Sequence, residues 1–547
     1  MCLFKLWYAL GMTSIKKNCK VSGRSFVVED YDQAFYKKIG VPVPTLCFEE
    51  RLKRKMRWRN ERNLHHRECD LCKSKIISIY RADSPYTIYC PKCWWSDKWN
   101  SLELGQDIDW DRPFFDQMYE LQLRVPRLSL YQKANENCAF TNHSANSRDC
   151  YLSTDLFGAQ DVYHTKWAIK SRDLIDCYST DQVELGYEIQ YMEPGYNTKF
   201  AYLCVNVSDS NFMYNCMSVK NSFMCNNLVR KEYCIRNEFV GKEAYEAFMA
   251  FIDLGSYRQL EELKKEYVEM IRTAPKRQSL VHMCEECTGD ALDRCKNVYD
   301  CYEMVESQDC RYCVINVNLK DCFDTYESAF HCERQYECHG CNNGQFIRFG
   351  HISYDNHECD IIDSCHNSSQ LFGCVSVRRK KYCILNKQYS EDEYKALVPR
   401  LIKLMEEHEE WGEFFPSKYS PFSYEESAAQ EYFSKAVEKQ KSPPNAVELP
   451  DNIKETPDEI TLQVLSCEAS GEAYKFIPQE LALHRKLGVA LPRRSPRQRY
   501  FDRLMMRPKF ELHHRSCSRC KKDICTTFSK EEPAPIYCHE CYIETFH

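Results

Sequence analysis

The same four-cysteine module occurs twice in this chain, once near each end. The first copy runs Cys69-x2-Cys72-x17-Cys90-x2-Cys93 and the second Cys517-x2-Cys520-x17-Cys538-x2-Cys541. The offset of 448 residues holds without a gap back to Cys19 and Cys467, through Gly40/Gly488, Arg51/Arg499 and the His-His-Arg runs at 65–67 and 513–515. Two CxxC pairs at this separation suit one tetrahedral metal site. Each pair forms a tight knuckle, and the spacer is a hairpin that folds one knuckle onto the other. In the first copy Ile76, Ile77, Ile79 and Tyr80 read as a strand, Asp83-Ser84-Pro85 as a turn and Thr87-Ile88-Tyr89 as the return. A closed shell of four thiolates leaves no position for substrate. Two structural Zn²⁺ ions are therefore expected, one on Cys69, Cys72, Cys90 and Cys93 and one on Cys517, Cys520, Cys538 and Cys541.

Such thiolates need a reducing compartment, and this decides how the 34 cysteines are read. The first twelve residues, MCLFKLWYALGM, make a poor signal peptide, and no apolar run approaches a membrane span. A cytoplasmic chain with no membrane partner is expected. A length of 547 residues points to several domains, and a net charge of −6 excludes a chain built throughout to coat nucleic acid.

The interior is repetitive. Asp-Cys-aromatic recurs at Asp149-Cys150-Tyr151, Asp176-Cys177-Tyr178, Asp300-Cys301-Tyr302 and Asp321-Cys322-Phe323. Cysteines fall nine apart at 216, 225 and 234 and again at 365, 374 and 383, each triplet closing on Tyr-Cys-Ile. Short alternation, frequent Asn/Asp/Ser turns and little helical periodicity predict a mainly β chain. Its centre is a duplicated cysteine-rich β-solenoid with helical caps, in which small buried side chains stack from rung to rung. The expected organisation is a lead-in and zinc ribbon over 19–100, a connecting helix over 101–134 and a first arm over 135–240. Capping helices follow at 241–280, then a second arm over 281–388, a cap at 389–412, an acidic linker over 413–466 with some helix near 425–440, and a second lead-in and ribbon over 467–547. The caps follow helical spacing: Tyr245, Phe248, Met249 and Ile252; Leu260, Leu263, Tyr267 and Ile271; and Tyr394, Leu397, Val398 and Leu401, the last group behind a Ser390/Glu393 capping box.

Other candidates are weaker. Cys19, Ser22, Cys47 and Glu50 sit like a second site that has lost two thiols, and are read as metal-free. Cys284, Cys287, Cys295 and His282 offer a possible third site. Trp94, Trp95 and Trp99 read as a plug between ribbon and neighbour. Arg54, Arg57, Trp58, Arg59 and Arg62 lie in a dense basic stretch that is a candidate nucleic-acid arm; the alternative is a helix face paired with the chain's own acidic residues near Glu406–Glu410. Asp149, Asp176, Asp300, Asp309 and Asp321 are read as turn residues rather than as a carboxylate-lined groove. Nucleotide-binding and hydrolase motifs are absent from the sequence.

Together the Cys-x-x-Ser-Gly entry, the Gly40–Pro44 loop, Arg59-Asn60-Glu61-Arg62, the ribbon, Trp94-Trp95-Ser-Asp-Lys-Trp99, the Asp-Cys-aromatic repeats and the Tyr-Cys-Ile-x-Asn endings resemble a particular family. It is one of zinc-ribbon-flanked, cysteine-rich repeat proteins of uncultivated reduced-genome bacteria and large DNA viruses. The resemblance implies zinc binding and brings no established activity. Family members often carry a CxxC pair where this chain has Cys19 and Ser22, so this chain departs from the family pattern at the place of a second zinc per module. The expected function is a non-enzymatic, zinc-stabilised scaffold that contacts RNA or DNA through the basic arms. The alternatives are an enzyme working in a solenoid groove, and a structural part of a multiprotein assembly such as a ribonucleoprotein or a virus particle.

Overall fold

The computed structural model describes residues 13–327, 329–434, 439–443 and 447–546. The apolar stretch 1–12 and part of the helix expected near 425–440 lie outside the described residues. Among the described residues no helix is long and apolar enough to cross a membrane. The chain is mainly β with helices and divides into two interleaved units, residues 1–129 with 279–433, and 130–278 with 434–547. Each unit thus joins one terminal module to the solenoid arm that lies farther from it in sequence.

The arms are parallel β-solenoids with a twelve-residue turn. In the second unit Thr154 pairs with Lys166, Lys166 with Tyr178 and Tyr178 with Gln190. In the first unit Gln345 pairs with His357, His357 with Ser369 and Ser369 with Lys381. Within each turn the backbone enters the left-handed region at every third residue, for example at Asp149, Leu152, Asp155, Gly158, Asp161 and His164. The residue after each corner points inward: Cys150, Ser153, Leu156, Ala159, Val162 and Thr165 are all buried. The nine-residue cysteine spacing is therefore three corner-to-corner steps, not one rung. Two register shifts, at Cys287/Gly289 and Val317/Leu319, move the cysteine frame along the first unit's arm.

Small polar side chains suit these inward positions because they serve backbone groups that the corners leave over. Ser153 Oγ donates to the Tyr151 carbonyl at 2.9 Å and accepts the Thr165 N–H of the next turn at 3.0 Å. Cysteine does the same more weakly. Cys313 Sγ donates to the Arg311 and Cys322 carbonyls at 3.3 Å, and Cys301 Sγ accepts the Cys313 N–H at 3.2 Å. Asp and Asn favour the corners because they tolerate positive φ and bond to each other between turns. Asn137 donates to Asp149 at 2.6 Å and Asn297 to Asp309 at 2.8 Å.

Each arm closes on an antiparallel hairpin, Cys234–Ile235 with Glu238–Phe239 and Lys381–Ile384 with Lys387–Gln388. Helices Lys242–Met249 and Glu391–Glu407 follow, the second with the Ser390/Glu393 capping box. Helix Tyr257–Thr273 buries Leu260, Leu263, Tyr267 and Ile271, and Tyr267 donates to the Met213 carbonyl at 3.0 Å.

The terminal modules repeat element for element. Helix Asp30–Ile39 corresponds to Pro478–Leu487, and each ends at a left-handed glycine, Gly40 or Gly488, a conformation that favours glycine. Phe35 and Tyr36 pack on Phe323 and Tyr336 of the first unit's arm. In the second unit His484 meets Tyr187. The stretch 413–466 contains the boundary between the two units, yet its described residues pack on both sides of it: Phe414, Phe415 and Phe422 are buried in the first unit and Leu449, Ile453 and Ile460 in the second. Its aromatic and aliphatic anchors outweigh its acidic composition.

Candidate metal centres and the docked basic helix

Both four-cysteine groups come together. In each, the four Sγ atoms lie within 4.8 Å of one another. The hairpins bring this about: His65–Glu68 pairs antiparallel with Lys75–Ser78, and His513–Ser516 with Asp523–Thr526. The first knuckle is tied by Cys69 N–H to the Ser74 carbonyl and Lys73 N–H to the Cys69 carbonyl, and Cys517, Lys522 and Lys521 repeat both bonds. Amide-to-sulfur bonds are duplicated too. Cys90 N–H points to Cys69 Sγ at 3.3 Å and Cys93 N–H to Cys90 Sγ at 3.4 Å; the equivalents at Cys538 and Cys541 measure 3.2 and 3.5 Å.

A Zn²⁺ with Zn–S bonds of about 2.3 Å has S···S edges of about 3.8 Å. Cys72 and Cys90 stand 4.0 Å apart and Cys520 and Cys538 3.7 Å, so the donor set and spacing fit a tetrahedral soft-ligand site. The Ser74 hydroxyl and N–H lower the Cys72 thiol to about 6. Burial opposes the Cys517 thiolate, but the N–H groups of Cys538, Cys520 and Arg519 outweigh it and bring that thiol to about 6 as well.

The other candidates separate clearly. Cys19 keeps the knuckle, with Cys19 N–H on the Arg24 carbonyl and Gly23 N–H on the Cys19 carbonyl. Cys47 stands at the start of helix Phe48–Met56 as Cys90 does at Pro91–Trp94, but only Cys90 accepts a helix N–H, and the Ser22 hydroxyl lies 3.8 Å from Cys47 Sγ. Cys284 belongs to the ladder, donating to the His282 carbonyl and accepting the Cys295 N–H, while His282 engages Asp293. Among the described residues these groups form no ligand cluster with Cys287. His65 meets Glu426 at 3.2 Å rather than the thiols. Trp94 is fully buried and donates to the Pro126 carbonyl.

The basic stretch requires a correction. Trp58 and Arg59 are buried, and Arg54, Arg57 and Arg62 are half-buried. Arg51 Nε holds Asp324 at 2.8 Å, and Arg54 holds Glu337 at 2.9 Å and Glu413 at 2.6 Å. Arg59 pairs with Glu61 and Glu327, Lys55 lies 3.6 Å from both Asp324 and Glu337, and Trp58 packs on His351 and Phe415. The neutralising acids come from the solenoid, from Glu413 and from Glu61 of the same stretch, not from Glu406–Glu410. Glu410 instead accepts the N–H groups of Phe114 and Phe115 at the start of helix Phe114–Arg124.

The second unit repeats the device. Arg499, the equivalent of Arg51, holds Asp176 at 2.8 Å, and Arg503, the equivalent of Lys55, holds it at 3.1 Å. Those guanidinium groups keep the buried Asp176 carboxyl below its ordinary range although desolvation opposes them. Asp149, Asp176, Asp300, Asp309 and Asp321 all occupy left-handed corners. Asp300 pairs with Arg311 at 2.8 Å and Asp321 with Lys38 at 3.1 Å, so these carboxylates serve structure. The sequence signal for this docking was the pairing of Arg51 with Arg499 in the duplicated modules. No protein-family model and no curated protein matches this chain, so the chemistry of the two thiol clusters rests on their own geometry.

Proposed function

We propose that this protein is a non-enzymatic scaffold in which two Zn²⁺ ions fix the terminal modules and buried ion pairs fix each module to a solenoid arm. The observation that carries this reading is the pair of closed four-thiol clusters, identical in amide-to-sulfur pattern and matched in edge length to a tetrahedral zinc site. Zinc is favoured over harder cations because all four donors are sulfur. Bound there, it organises ligands that the unfolded hairpin cannot, so metal binding contributes several kcal/mol to each module. The solenoid's acidic residues support the scaffold reading, since they are spent on corners and on docking.

Elemental analysis of freshly purified, reduced protein tests this reading. Two zinc ions per chain are expected, falling to one in Cys72→Ser. Protein that contains no zinc and gains none on incubation with it would refute the reading.

A further inference from the structure

The basic stretch at 51–62 is consumed internally, but a different cationic surface of the first unit is not. The ribbon's short helix Pro91–Trp94 and the loop after it meet the last turn of the arm. There Arg378 donates to the Trp94 carbonyl at 2.8 Å and to the Ser96 carbonyl at 3.4 Å, and its guanidinium lies against the Trp94 and Trp99 rings. This contact sets Trp95 beside the arm. Trp95 packs on Trp94 and His366 at centroid distances of 4.7 and 4.9 Å, yet 49% of its surface remains exposed.

Lys92 and Lys98 lie within three residues of Trp95 in the chain, and Arg379, Lys380 and Lys381 directly follow Arg378 in the arm's last turn. Lys380 is half-buried and the other four are exposed. None of the five forms an ion pair among the described residues. The nearby acids are few: Asp97 acts on Arg378, and Glu391, which reaches toward Lys381, is already paired with Lys395 at 2.5 Å. The equivalent helix of the other module carries Ile543 in place of Trp95 and Glu540 in place of Lys92. The feature therefore belongs to the first unit alone.

We propose that this ledge binds single-stranded nucleic acid, with Trp95 stacking on a base and Lys92, Lys98, Arg379, Lys380 and Lys381 contacting consecutive phosphates. An exposed aromatic ring on a surface whose neighbouring segments carry cations without ion-pair partners is the chemistry that recognises an unpaired, polyanionic strand without reading its sequence. An acidic peptide would use the same charges but would gain less from the ring. The inference takes the scaffold reading above as its frame and names the partner that the scaffold presents.

The test uses the full chain with fluorescein-labelled twenty-nucleotide oligouridylate and oligothymidylate, followed by anisotropy. Affinity is expected to fall about 20-fold or more between about 50 and 200 mM salt. Trp95→Ala should weaken binding about fivefold or more, with recovery in Trp95→Phe. Joint replacement of Arg379, Lys380 and Lys381 by Ser should lower the salt slope by about 2. Binding of either oligomer in this pattern supports the proposal, and a preference between them identifies RNA or DNA as the source. No binding, binding indifferent to both sets of substitutions, or equal competition by polyglutamate would overturn it. Zinc content measured on each variant keeps a failure here distinct from a failure of the scaffold reading.

Discussion

Arg51 and Arg499 are buried at equivalent places, each with its guanidinium against a fully buried aspartate of a solenoid corner. Such pairs add little net stability compared with apolar packing, but removing one partner strands the other charge in a medium that cannot solvate it. Arg51→Ala is therefore expected to cost about 3–5 kcal/mol of the first unit's stability, read by urea denaturation. A loss below about 1 kcal/mol would mean that Lys55 alone neutralises Asp324. At this scale the sequence was legible for the thiols and misleading for the cations. Eight cysteines at fixed spacing declare a metal site locally. Arg54 and Arg59 are neutralised by Glu337 and Glu327, which lie far along the chain, so no local pattern can show that they face inward.

At the scale of the element, the solenoid turn makes a specific demand on its inward residues: small volume, and a side chain that can donate to a carbonyl. Cys216 meets it by reaching the Tyr214 carbonyl at 3.4 Å and the Cys225 carbonyl at 3.7 Å. Cys216→Ser should be tolerated within about 1 kcal/mol, because Ser153 and Ser210 already fill the same role. Cys216→Leu should cost about 1–3 kcal/mol by overpacking. Thermal unfolding of the two variants checks the contrast. Native alkylation should spare Cys216, Cys225 and Cys234, all buried free thiols. The capping box at Ser390 and the helix at 257–273 were readable because helical spacing and caps are strong local signals. The twelve-residue turn was hidden because its corners accept many residue types and its core mixes Cys, Ser, Thr, Ala and Val.

At the scale of the whole molecule, both units bury neutral imidazoles. Burial lowers His351 to about 4 and His366 to about 3 in the first unit, and lowers His484 to about 4 in the second. The groups acting on His484 are Glu480, Arg499, Asp176 and His164. A folded pKa below the unfolded value of about 6.5 means that the unfolded chain takes up the proton first. The stability tied to these groups is thus complete above pH 6.5, falls on acidification, and levels off below about pH 4 for His351 and His484 and below about pH 3 for His366. Each histidine contributes up to roughly 1.4 kcal/mol per pH unit within that window. His484→Tyr, which copies Tyr36 of the other module, should make the acid-induced loss shallower by about that slope in chemical denaturation at pH 4–7. An unchanged slope would show that His484 does not titrate on unfolding.

The interleaving of the two units has a consequence for synthesis. Asp324 lies 273 residues after Arg51, and at about 5–20 residues per second that interval lasts roughly 15–55 s. The first four-thiol cluster can close early, since its cysteines lie within one short stretch of chain. Its neighbouring helix and the turn after it must meanwhile display Arg51, Lys55 and Trp58 to the cell with nothing to dock on, while the other unit's arm emerges first and waits longer still for Arg499. A nascent chain of this kind is half assembled for most of its time on the ribosome, and whatever shields that basic segment in the interval is as much a part of its folding as the closing of its thiol clusters.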